Sequence, residues 1–260
     1  MQKEEQLLER RLTELSRVAC YRERITYSDF LNLNELNILH SLPKDTLFTK
    51  YLLFGGYESA ERQLVAFLPD ALSLRAGGED RNKLFQDAIS VLRITPLHGK
   101  FSEELSHRDY LGAILNLGIE RSKIGDVVMD KNQAYVFTSP RMKDFLLDNL
   151  GRIRHTAVMV QEEELHGFSY SPRFEEIRGT VASVRLDSLL SLAFSSSRSK
   201  LSPLIEAGKV FVNGKLVSSN GYQPKEGDRV SVRGMGKFQY VEAVGTTKKG
   251  RISVLVHKYV

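Results

Sequence analysis

The sequence predicts an α+β protein built from several domains, and three observations support this class. The chain has 260 residues, enough for two or three domains, and its 42% of hydrophobic residues can give each domain an ordinary core. Runs with helical spacing of apolar residues alternate along the chain with short β-branched and aromatic runs. Polar stretches that contain Gly, Pro or Glu separate these groups and predict the domain boundaries.

Residues 1–80 are predicted to form a small N-terminal α+β domain. Apolar residues at three- and four-residue spacing predict two helices, and Ser28 or Asp29 is the expected N-cap of the second. Strand-like runs on either side of Gly55-Gly56 predict a hairpin or two paired strands. The predicted ranges are 3–22 and 28–40 for the helices and 47–54 and 63–68 for the strands. The polar stretch 77–82 is the predicted boundary with the next domain.

Residues 81–163 are predicted to form a middle domain with the element order β-α-β-β-α-β. Gly118 and Gly151 are typical residues at helix ends, and Ser139 followed by Pro140 is a typical helix start. The order is shared by ferredoxin-like and RRM-like domains. Because many functions use that arrangement, it does not select one. The predicted strands are 88–94, 127–129, 134–137 and 156–160, and the predicted helices are 107–117 and 140–150.

Two groups of residues in the middle domain have competing interpretations. Tyr135 and Phe137 alternate on a predicted strand, and on RRM domains such aromatic residues stack on RNA bases. The glycine-rich RRM motif is absent, so we favour packing in the core. In the run His107-Arg108-Asp109 adjacent side chains point in different directions along a helix, so a structural role is favoured over a catalytic cluster. Contact between Arg108 and RNA is the open alternative.

Residues 164–180 contain Gly167 and Pro172 among several glutamates and are predicted to be a linker. The following domain, residues 181–260, is strongly basic. From residue 180 onward there are 13 Lys+Arg and 5 Asp+Glu, a net charge of +8, whereas residues 1–179 have 24 and 27, a net charge of −3. A basic domain beside an acidic body indicates a polyanionic partner, most often nucleic acid, although a solvated basic face is the alternative.

The turn and cap signals of the basic domain occur in a distinctive order. Asn213-Gly214 between apolar runs predicts a type I′ hairpin turn, because both positions of that turn need positive φ. Gly208 predicts the end of a helix, and the serines at 195–199 predict helix caps. Val230 and Val232 alternate with polar residues and predict a strand with one buried face. Pro203 falls inside the second helix, so either that helix begins late, at Ser202, or it is kinked.

Cationic residues fall near the starts and ends of these elements. In a unit this small they can share one surface, and the helix N-termini at the serine run would add N–H groups for phosphate. Such a surface recognises the shape and backbone of a nucleic acid rather than base edges. The cations are Arg185, Arg198, Lys200, Lys209, Lys215, Arg233 and Lys237.

The order of these motifs over residues 181–237 resembles the S4 RNA-binding domain of ribosomal protein S4, some pseudouridine synthases, bacterial tyrosyl-tRNA synthetases and the heat-shock 15-type ribosome-binding proteins. The resemblance implies an αL-type fold, in which two helices pack on a small sheet with a basic RNA-binding face. It also implies that Asp187 orients a neighbouring arginine or caps the helix. The predicted RNA-binding residues are Arg185, Ser197, Arg198, Lys200, Lys209, Asn213, Lys215, Arg233 and, from its charge and position, Lys237.

The middle domain carries a second resemblance. Two runs are similar to the signature of YlmH-like proteins, bacterial S4-domain proteins associated with the cell-division locus: Ser106-His107-Arg108-Asp109-Tyr110-Leu111-Gly112-Ala113-Ile114-Leu115-Asn116-Leu117-Gly118-Ile119 and Lys123-Ile124-Gly125-Asp126. This resemblance implies a cytoplasmic bacterial protein that binds the large ribosomal subunit. Its implied partners are 23S rRNA and tRNA on stalled complexes, in translation quality control. No residue explains a link to cell division.

The sequence lacks the usual signs of an enzyme, and we expect no catalytic residue, no metal and no small-molecule cofactor. None of the 6 histidines forms a pair with metal-ligand spacing, and no phosphate-binding glycine motif is present. The alternatives are an RNA-modifying enzyme such as a pseudouridine synthase, or a protein adaptor that uses the basic face. For a synthase, Asp187 lacks the expected following Thr-Ser-Gly. No membrane insertion is expected, and the single cysteine, Cys20, fits a reducing cytoplasm.

Overall fold

The structure, a computed structural model, describes residues 3–73, 81–97, 103–165, 168, 170 and 173–259. Residues 77–80 of the predicted first boundary lie outside this part of the chain. The chain divides into two units, Met1–Tyr170 and Ser171–Val260. Both contain helices and strands, so the mixed α and β class that the sequence predicts is confirmed. No helix in the described ranges is long and apolar enough to cross a membrane.

The elements of the N-terminal part of the first unit are α1 (Lys3–Tyr21), β1 (Thr26–Tyr27), α2 (Leu33–Ser41), β2 (Lys50–Phe54), β3 (Leu64–Leu68), α3 (Asp70–Ser73) and α4 (Arg81–Phe85). The three strands form a small antiparallel sheet with the order β1-β3-β2. A 3-10 turn at Lys44–Thr46 lies between α2 and β2, and the short helices α3 and α4 follow β3.

The predicted start of α2 was wrong. Asn32 is the N-cap, and its side chain accepts a hydrogen bond from the N–H of Glu35 (3.1 Å) while the Glu35 carboxylate accepts one from the N–H of Asn32 (2.7 Å). This reciprocal capping box satisfies helix amides that would otherwise lack acceptors. Ser28 instead lies beside β3, where its Oγ accepts a hydrogen bond from the N–H of Val65 (2.9 Å). The extended segment before α2 is therefore held by pairing with a distant strand.

The elements of the remainder of the first unit are β4 (Ser90–Pro96), α5 (His107–Asn116), β5 (Ile124–Asp130), β6 (Gln133–Thr138), α6 (Pro140–Asn149), β7 (Arg152–Ile153) and β8 (Thr156–Glu163). Their order is β-α-β-β-α-β, with one additional short strand, β7, before the last. The sheet has the order β5-β6-β4-β8-β7, and every neighbouring pair is antiparallel. A 3-10 turn at Arg121–Lys123 precedes β5.

The two sheets of this unit pack against each other through a shared hydrophobic cluster. Strand β3 is buried along its whole length, because its alternate side chains enter two different clusters. Val65 and Phe67 pack with α1 and α2, whereas Leu64 and Ala66 pack toward Phe137 and its neighbours in the other sheet. The predicted N-terminal and middle domains thus share one core, and their separation into two domains remains a prediction.

Phe137 lies at the centre of this shared cluster. It is fully buried and stacks on Tyr57, with 5.2 Å between ring centroids. A Cβ added at Gly56 would lie 2.2 Å from the Phe137 ring, so only glycine allows the 55–57 segment to approach so closely. Tyr135 is partly buried in the same cluster and contacts Phe168 edge-on, at 5.0 Å. Both aromatic residues are therefore in the core, as the sequence interpretation favoured.

A carboxylate joins the two layers at one edge of this cluster. Asp126 on β5 accepts hydrogen bonds from the Tyr57 hydroxyl (2.8 Å) and from the N–H groups of Glu61 (2.7 Å) and Arg62 (3.2 Å). Burial, together with the negative charge of Asp126, raises the pKa of Tyr57 well above its ordinary value. Tyr57 therefore stays neutral as a hydrogen-bond donor, and the 57–62 segment is held on β5.

Two half-buried arginines reinforce the same junction. The Arg62 guanidinium donates to the carbonyl groups of Phe30 (2.8 Å), Ile124 (3.0 Å) and Arg121 (3.2 Å). The Arg121 guanidinium donates in turn to the carbonyl groups of Ile124 and Gly125. Burial and the nearby Arg62 charge lower the pKa of Arg121 to about 10, so both groups remain charged near neutral pH. Their donors provide hydrogen bonds to backbone carbonyls at this junction.

The second unit is a six-stranded antiparallel sheet with two helices on one face. Its elements are β9 (Phe174–Val181), α7 (Leu186–Ala193), α8 (Arg198–Glu206), β10 (Val210–Val212), β11 (Lys215–Leu216), β12 (Arg229–Val232), β13 (Gly236–Thr246) and β14 (Ile252–Tyr259). The strand order is β11-β10-β12-β13-β14-β9. Strand β9 pairs with β14 along its full length, so Phe174–Val181 form a strand where the sequence predicted a linker.

The predicted turn chemistry of the second unit is confirmed. Asn213 and Gly214 have φ values of 50° and 79°, as a type I′ turn requires. Gly208 has φ 68° and ends α8 with two backbone bonds, from Gly208 N–H to Ile205 (3.1 Å) and from Lys209 N–H to Leu204 (2.9 Å). Helix α8 begins at Arg198 and includes Pro203, so the alternative of a late start at Ser202 was wrong.

We expect Gly125→Ala to destabilise the junction between the two sheets of the first unit. An added Cβ would lie 2.7 Å from the Phe30 ring and 3.0 Å from the Phe137 side chain, and such overpacking costs about 1–3 kcal/mol. Native-state hydrogen exchange should show this loss as a lower free energy of opening for amides of β5 and β6.

Gly112→Ala is the matched control, because the Cβ of this helical residue would meet nothing within 4 Å. It should be neutral or stabilise α5 by about 0.5–1 kcal/mol. Equal protection of β5 and β6 in the Gly125→Ala variant and the intact chain would contradict the packing described.

Candidate nucleic-acid interface

A buried carboxylate at the start of α7 connects two arginines. Asp187 is 7% exposed, and its carboxylate accepts hydrogen bonds from Arg185 Nε (3.2 Å) and Nη2 (3.4 Å). The Ser188 hydroxyl donates to the same carboxylate (3.4 Å) and accepts a hydrogen bond from Arg198 Nη2 (2.5 Å). Residues Arg185, Asp187, Ser188 and Arg198 therefore form one network, which we call the Asp187 network. It confirms that Asp187 orients an arginine.

The local sequence explains why this network forms at the start of α7. Leu186, Leu189, Leu190 and Ala193 are buried in the core of the second unit, which fixes the rotation of the helix. The α7 face that carries these residues packs on the sheet, and the first turn therefore presents Asp187 and Ser188 toward α8. Arg198, the first residue of α8, is exposed and reaches back across the gap between the helices. Leucine spacing thus determines which polar groups meet.

A loop closes the N-terminus of α7. The N–H groups of Leu186 and Asp187 donate to the carbonyl groups of Tyr222 (2.8 Å) and Asn220 (3.3 Å). These amides are therefore used within the fold. At the N-terminus of α8, Ser197 is the N-cap by position, but its Oγ lies 3.0 Å from Ser199 Oγ and makes no capping bond. The serine run begins the helix as predicted, without the predicted hydroxyl caps.

The other predicted cations form further groups around the same domain. Lys200 is exposed in the first turn of α8, near Arg198 in the chain. Lys209 and Arg233 are exposed and adjacent, because the N–H of Arg233 donates to the carbonyl of Lys209 (2.9 Å). Lys215 is exposed at the start of β11, directly after the type I′ turn. These three locations are the start of α8, the neighbouring ends of β10 and β12, and the start of β11.

Asn213 and Lys237 have different surroundings. The Asn213 side chain donates to Asp228 (2.8 Å) and accepts from the N–H of Arg229 (3.0 Å), so it connects two turns of the domain. Lys237 follows the strand alternation of β13, in which the next residue, Phe238, enters the core against the helices. Lys237 therefore lies on the opposite face of the sheet, with its ammonium group 5.2 Å from the centre of the Tyr259 ring. The predicted cations do not all share one surface.

The motif of the middle domain builds a helix start. The Asp109 carboxylate accepts hydrogen bonds from the N–H (2.8 Å) and the hydroxyl (2.6 Å) of Ser106, and these bonds lower the pKa of Asp109. This is the structural role that the sequence predicted for Ser106 and Asp109. Partial burial and the Arg121 charge lower the pKa of His107, while Asp126 acts in the opposite sense. His107 is therefore neutral at pH 7.

Comparison with known proteins finds a matching domain family in each of the two units. Residues 88–167 match the family model described as "Putative RNA-binding domain in YlmH", and residues 184–230 match the S4 domain model. The chain is thus a protein that combines two domains classed as RNA-binding. The YlmH and S4 resemblances drawn from the sequence are confirmed, and the S4 match contains the whole Asp187 network.

One curated relative and one solved structure are similar to this chain. The chain is 29% identical to "Ribosome-associated protein quality control protein P2" of Bacillus subtilis (strain 168) over 239 residues, which are 92% of this chain and 89% of the relative. A solved structure, "Cell division protein ylmH from Streptococcus pneumoniae", aligns with a TM-score of 0.49 and 22% identity, over 64% of this chain and 95% of that chain. The chain carries a YlmH-type RNA-binding domain followed by an S4 domain, and it is homologous to the Bacillus subtilis protein.

Sequence reasoning found Arg185, Asp187 and Arg198 but missed Ser188. A serine inside a helix is an ordinary residue, and only the packing of α8 against α7 brings Arg198 to its hydroxyl. It also missed Tyr222 and Asn220, whose carbonyl groups close the start of α7 from more than 30 residues along the chain. No local pattern signals either contact.

We expect Ser188→Ala to weaken RNA binding without changing its dependence on salt. The substitution removes the acceptor that holds Arg198, at a cost of about 0.5–1.5 kcal/mol, but it removes no charge. Fluorescence anisotropy with a structured RNA at several salt concentrations would measure both the affinity and the slope.

Ser202→Ala is the matched control, because it makes the same change on α8 at a side chain with no hydrogen bond in the described ranges. It should bind like the intact chain. Equal affinity of the Ser188→Ala and Ser202→Ala variants would show that the link to Arg198 does not matter for binding.

Proposed function

We propose that this chain is a non-catalytic RNA-binding protein that binds structured RNA through its S4 domain. The observation that carries the proposal is the Asp187 network, which fixes two guanidinium groups on one end of a basic domain. Phosphate groups are recognised well by guanidinium groups, because their planar forks match two phosphate oxygens. The proposed RNA-binding residues remain those predicted from the sequence, and the Asp187 network holds two of them, Arg185 and Arg198.

The geometry of the network leaves donors for a ligand. Arg185 uses Nε and Nη2 on Asp187, so its Nη1 group keeps two N–H donors. Arg198 uses Nη2 on Ser188 and is exposed. The network contains two guanidinium groups and one carboxylate, so it keeps a net positive charge. A bound phosphate would therefore meet two positioned guanidinium groups in a site that remains cationic.

Neighbouring cations extend this surface. Lys200 is on the exposed first turn of α8, and Lys209 with Arg233 lies at the other end of that helix. Residues 180–260 carry a net charge of +8. Spread over several element ends, such cations follow a phosphate backbone and read its shape, as is typical of structured RNA recognition.

We propose further that the RNA is ribosomal. The Bacillus subtilis relative is named a ribosome-associated protein quality control protein, and it aligns with most of this chain. The proposed targets are 23S rRNA and tRNA on the large ribosomal subunit, with the protein acting in the cytoplasm in translation quality control. A link to cell division rests on the family resemblance, and no side chain described here accounts for it.

We propose an RRM-like fold for the middle domain, without the usual RRM mode of RNA binding. Its strand order β5-β6-β4-β8 and its two helices on one face support an RRM-like unit. On the other face, Phe137 is buried against Tyr57 and Tyr135 packs on Phe168. Base stacking on these two rings, the usual RRM mode, would require the covering residues to leave. This domain is therefore expected to bind RNA in another way.

We expect Arg185→Ala and Arg198→Ala each to weaken RNA binding and to flatten its salt dependence. Each lost phosphate contact should reduce the log–log slope by about 0.7–0.9. Binding of the full chain to purified large ribosomal subunits and to a 23S rRNA fragment, at several salt concentrations, measures both effects.

Arg178→Ala is the matched control. Its neighbour Gly179 faces Leu192 of α7, so Arg178 points to the opposite side of the sheet, where it pairs with Glu176 (2.8 Å). This variant should keep the affinity and slope of the intact chain. Unchanged binding in both the Arg185→Ala and Arg198→Ala variants would refute the proposed function.

A further inference from the structure

The YlmH-type domain has a second basic surface, which lies on its helix side. A groove of about 450 Å³ runs between α5, the end of α6 and the β7–β8 turn. Three arginines line it, namely Arg108, Arg152 and Arg154. We call it the arginine groove. It lies on the side of the sheet away from Tyr135 and Phe137, because α5 and α6 pack on the opposite face.

The elements around the groove explain its shape. Arg108, Gly112 and Asn116 are spaced by four residues on α5 and therefore share one side of the helix. Arg152 is on the short strand β7, and Arg154 follows in the turn with a φ of 52°. Gly112 leaves open space, since an added Cβ would meet nothing within 4 Å. The floor of the groove can therefore be approached closely by a ligand.

The charges in the groove are predominantly positive. Arg154 is paired with Asp109 (3.6 Å) and Glu103 (3.7 Å), both at long distances. Asp109 is also engaged by Ser106, which occupies its other oxygen. Arg108 and Arg152 are exposed and have no ion pair within the ranges that the structure describes. Three guanidinium groups thus face a single lining carboxylate, and two of them have no acidic partner there.

We propose that the arginine groove binds the phosphate backbone of RNA. This inference rests on the proposed function and names a second contact site for the same class of ligand. Arg108 and Arg152 stand on opposite walls and would hold phosphate groups of one strand, with Asn116 beside them as a donor to phosphate or ribose hydroxyl oxygens. Asn149 already donates to the Phe145 carbonyl (2.8 Å) and helps to form the wall.

Two observations favour RNA over an acidic protein segment. The lining contains guanidinium and amide groups with few large apolar side chains, whereas protein interfaces have apolar centres. The groove also lies within residues 88–167, the part that matches an RNA-binding family model, and the aromatic face of that domain is covered. The helix side is thus the polar, open surface on which this domain can contact a backbone.

The test uses the full chain with Arg108→Gln, Arg152→Gln and the double substitution. Each single variant should lower affinity for a 23S rRNA fragment a few-fold, and the double variant should reduce the log–log salt slope by about 1.4–1.8, since two phosphate contacts are lost. Arg141→Gln is the matched control. It removes an exposed arginine at the opposite end of α6 from Asn149, and it should bind normally.

A second variant tests the groove without removing an arginine and at a position where the fold should tolerate the change. Gly112→Glu places a carboxylate in open space on α5, so it should fold like the intact chain and still weaken RNA binding, more than Gly112→Gln does. Circular dichroism and thermal unfolding of every variant would verify the fold. If Gly112→Glu and the folded arginine variants bind RNA normally, the proposal is overturned, even if they lose an acidic protein partner.

The outcomes also separate this proposal from the proposed function. Normal binding by the groove variants, with weak binding by Arg185→Ala and Arg198→Ala, overturns the arginine groove alone. Normal binding by both sets overturns both proposals. Weak binding by both sets, with normal Arg141→Gln and Arg178→Ala controls, supports two contact sites on one chain.

Discussion

The Asp187 carboxylate is the interaction on which the RNA-binding account depends. A buried charge is costly unless it is paired and hydrogen-bonded, so the ion pair with Arg185 stabilises Asp187 in the second unit. Ser188 transmits the same constraint to Arg198, on the next helix. The side chains that pair with Asp187 and Ser188 in the fold are therefore the same ones that we propose to bind RNA. The Arg185 and Arg198 side chains already lose conformational freedom when the protein folds, so the entropy cost of ordering them on proposed RNA binding is smaller.

The first unit shows a related use of polar groups within an apolar setting. Asp126 and Arg62 join two sheets whose shared cluster buries Phe137, and the close approach at Gly56 completes the cover. This packing removes the aromatic face from the surface and leaves the helix side of the YlmH-type domain exposed. In both units the cations that we assign to RNA binding lie on helices, in turns or near the ends of strands, while the apolar faces of the helices and sheets form the cores.

Local signals in the sequence predicted much of this structure. Asn213-Gly214 and Gly208 determine backbone angles by themselves, and the apolar spacing of α1 indicates the helix face that carries the buried Leu12 and Ala19. Features that depend on distant partners could not be predicted in this way. The start of α2 is set by pairing of Ser28 with Val65, β9 exists because β14 lies beside it, and Ser188 matters because α8 packs nearby. The face on which Lys237 lies follows from strand register, which the sequence pattern left open.

A double-mutant cycle at Arg185 and Arg198 tests the central claim most directly. The affinities of the intact chain, Arg185→Ala, Arg198→Ala and the double variant would be measured on one structured RNA, with circular dichroism to verify folding. If Asp187 and Ser188 make the two arginines one binding unit, their losses are non-additive, with an interaction energy of about 0.5–3 kcal/mol. Losses that add to within about 0.3–0.5 kcal/mol would show two independent cations and contradict the account.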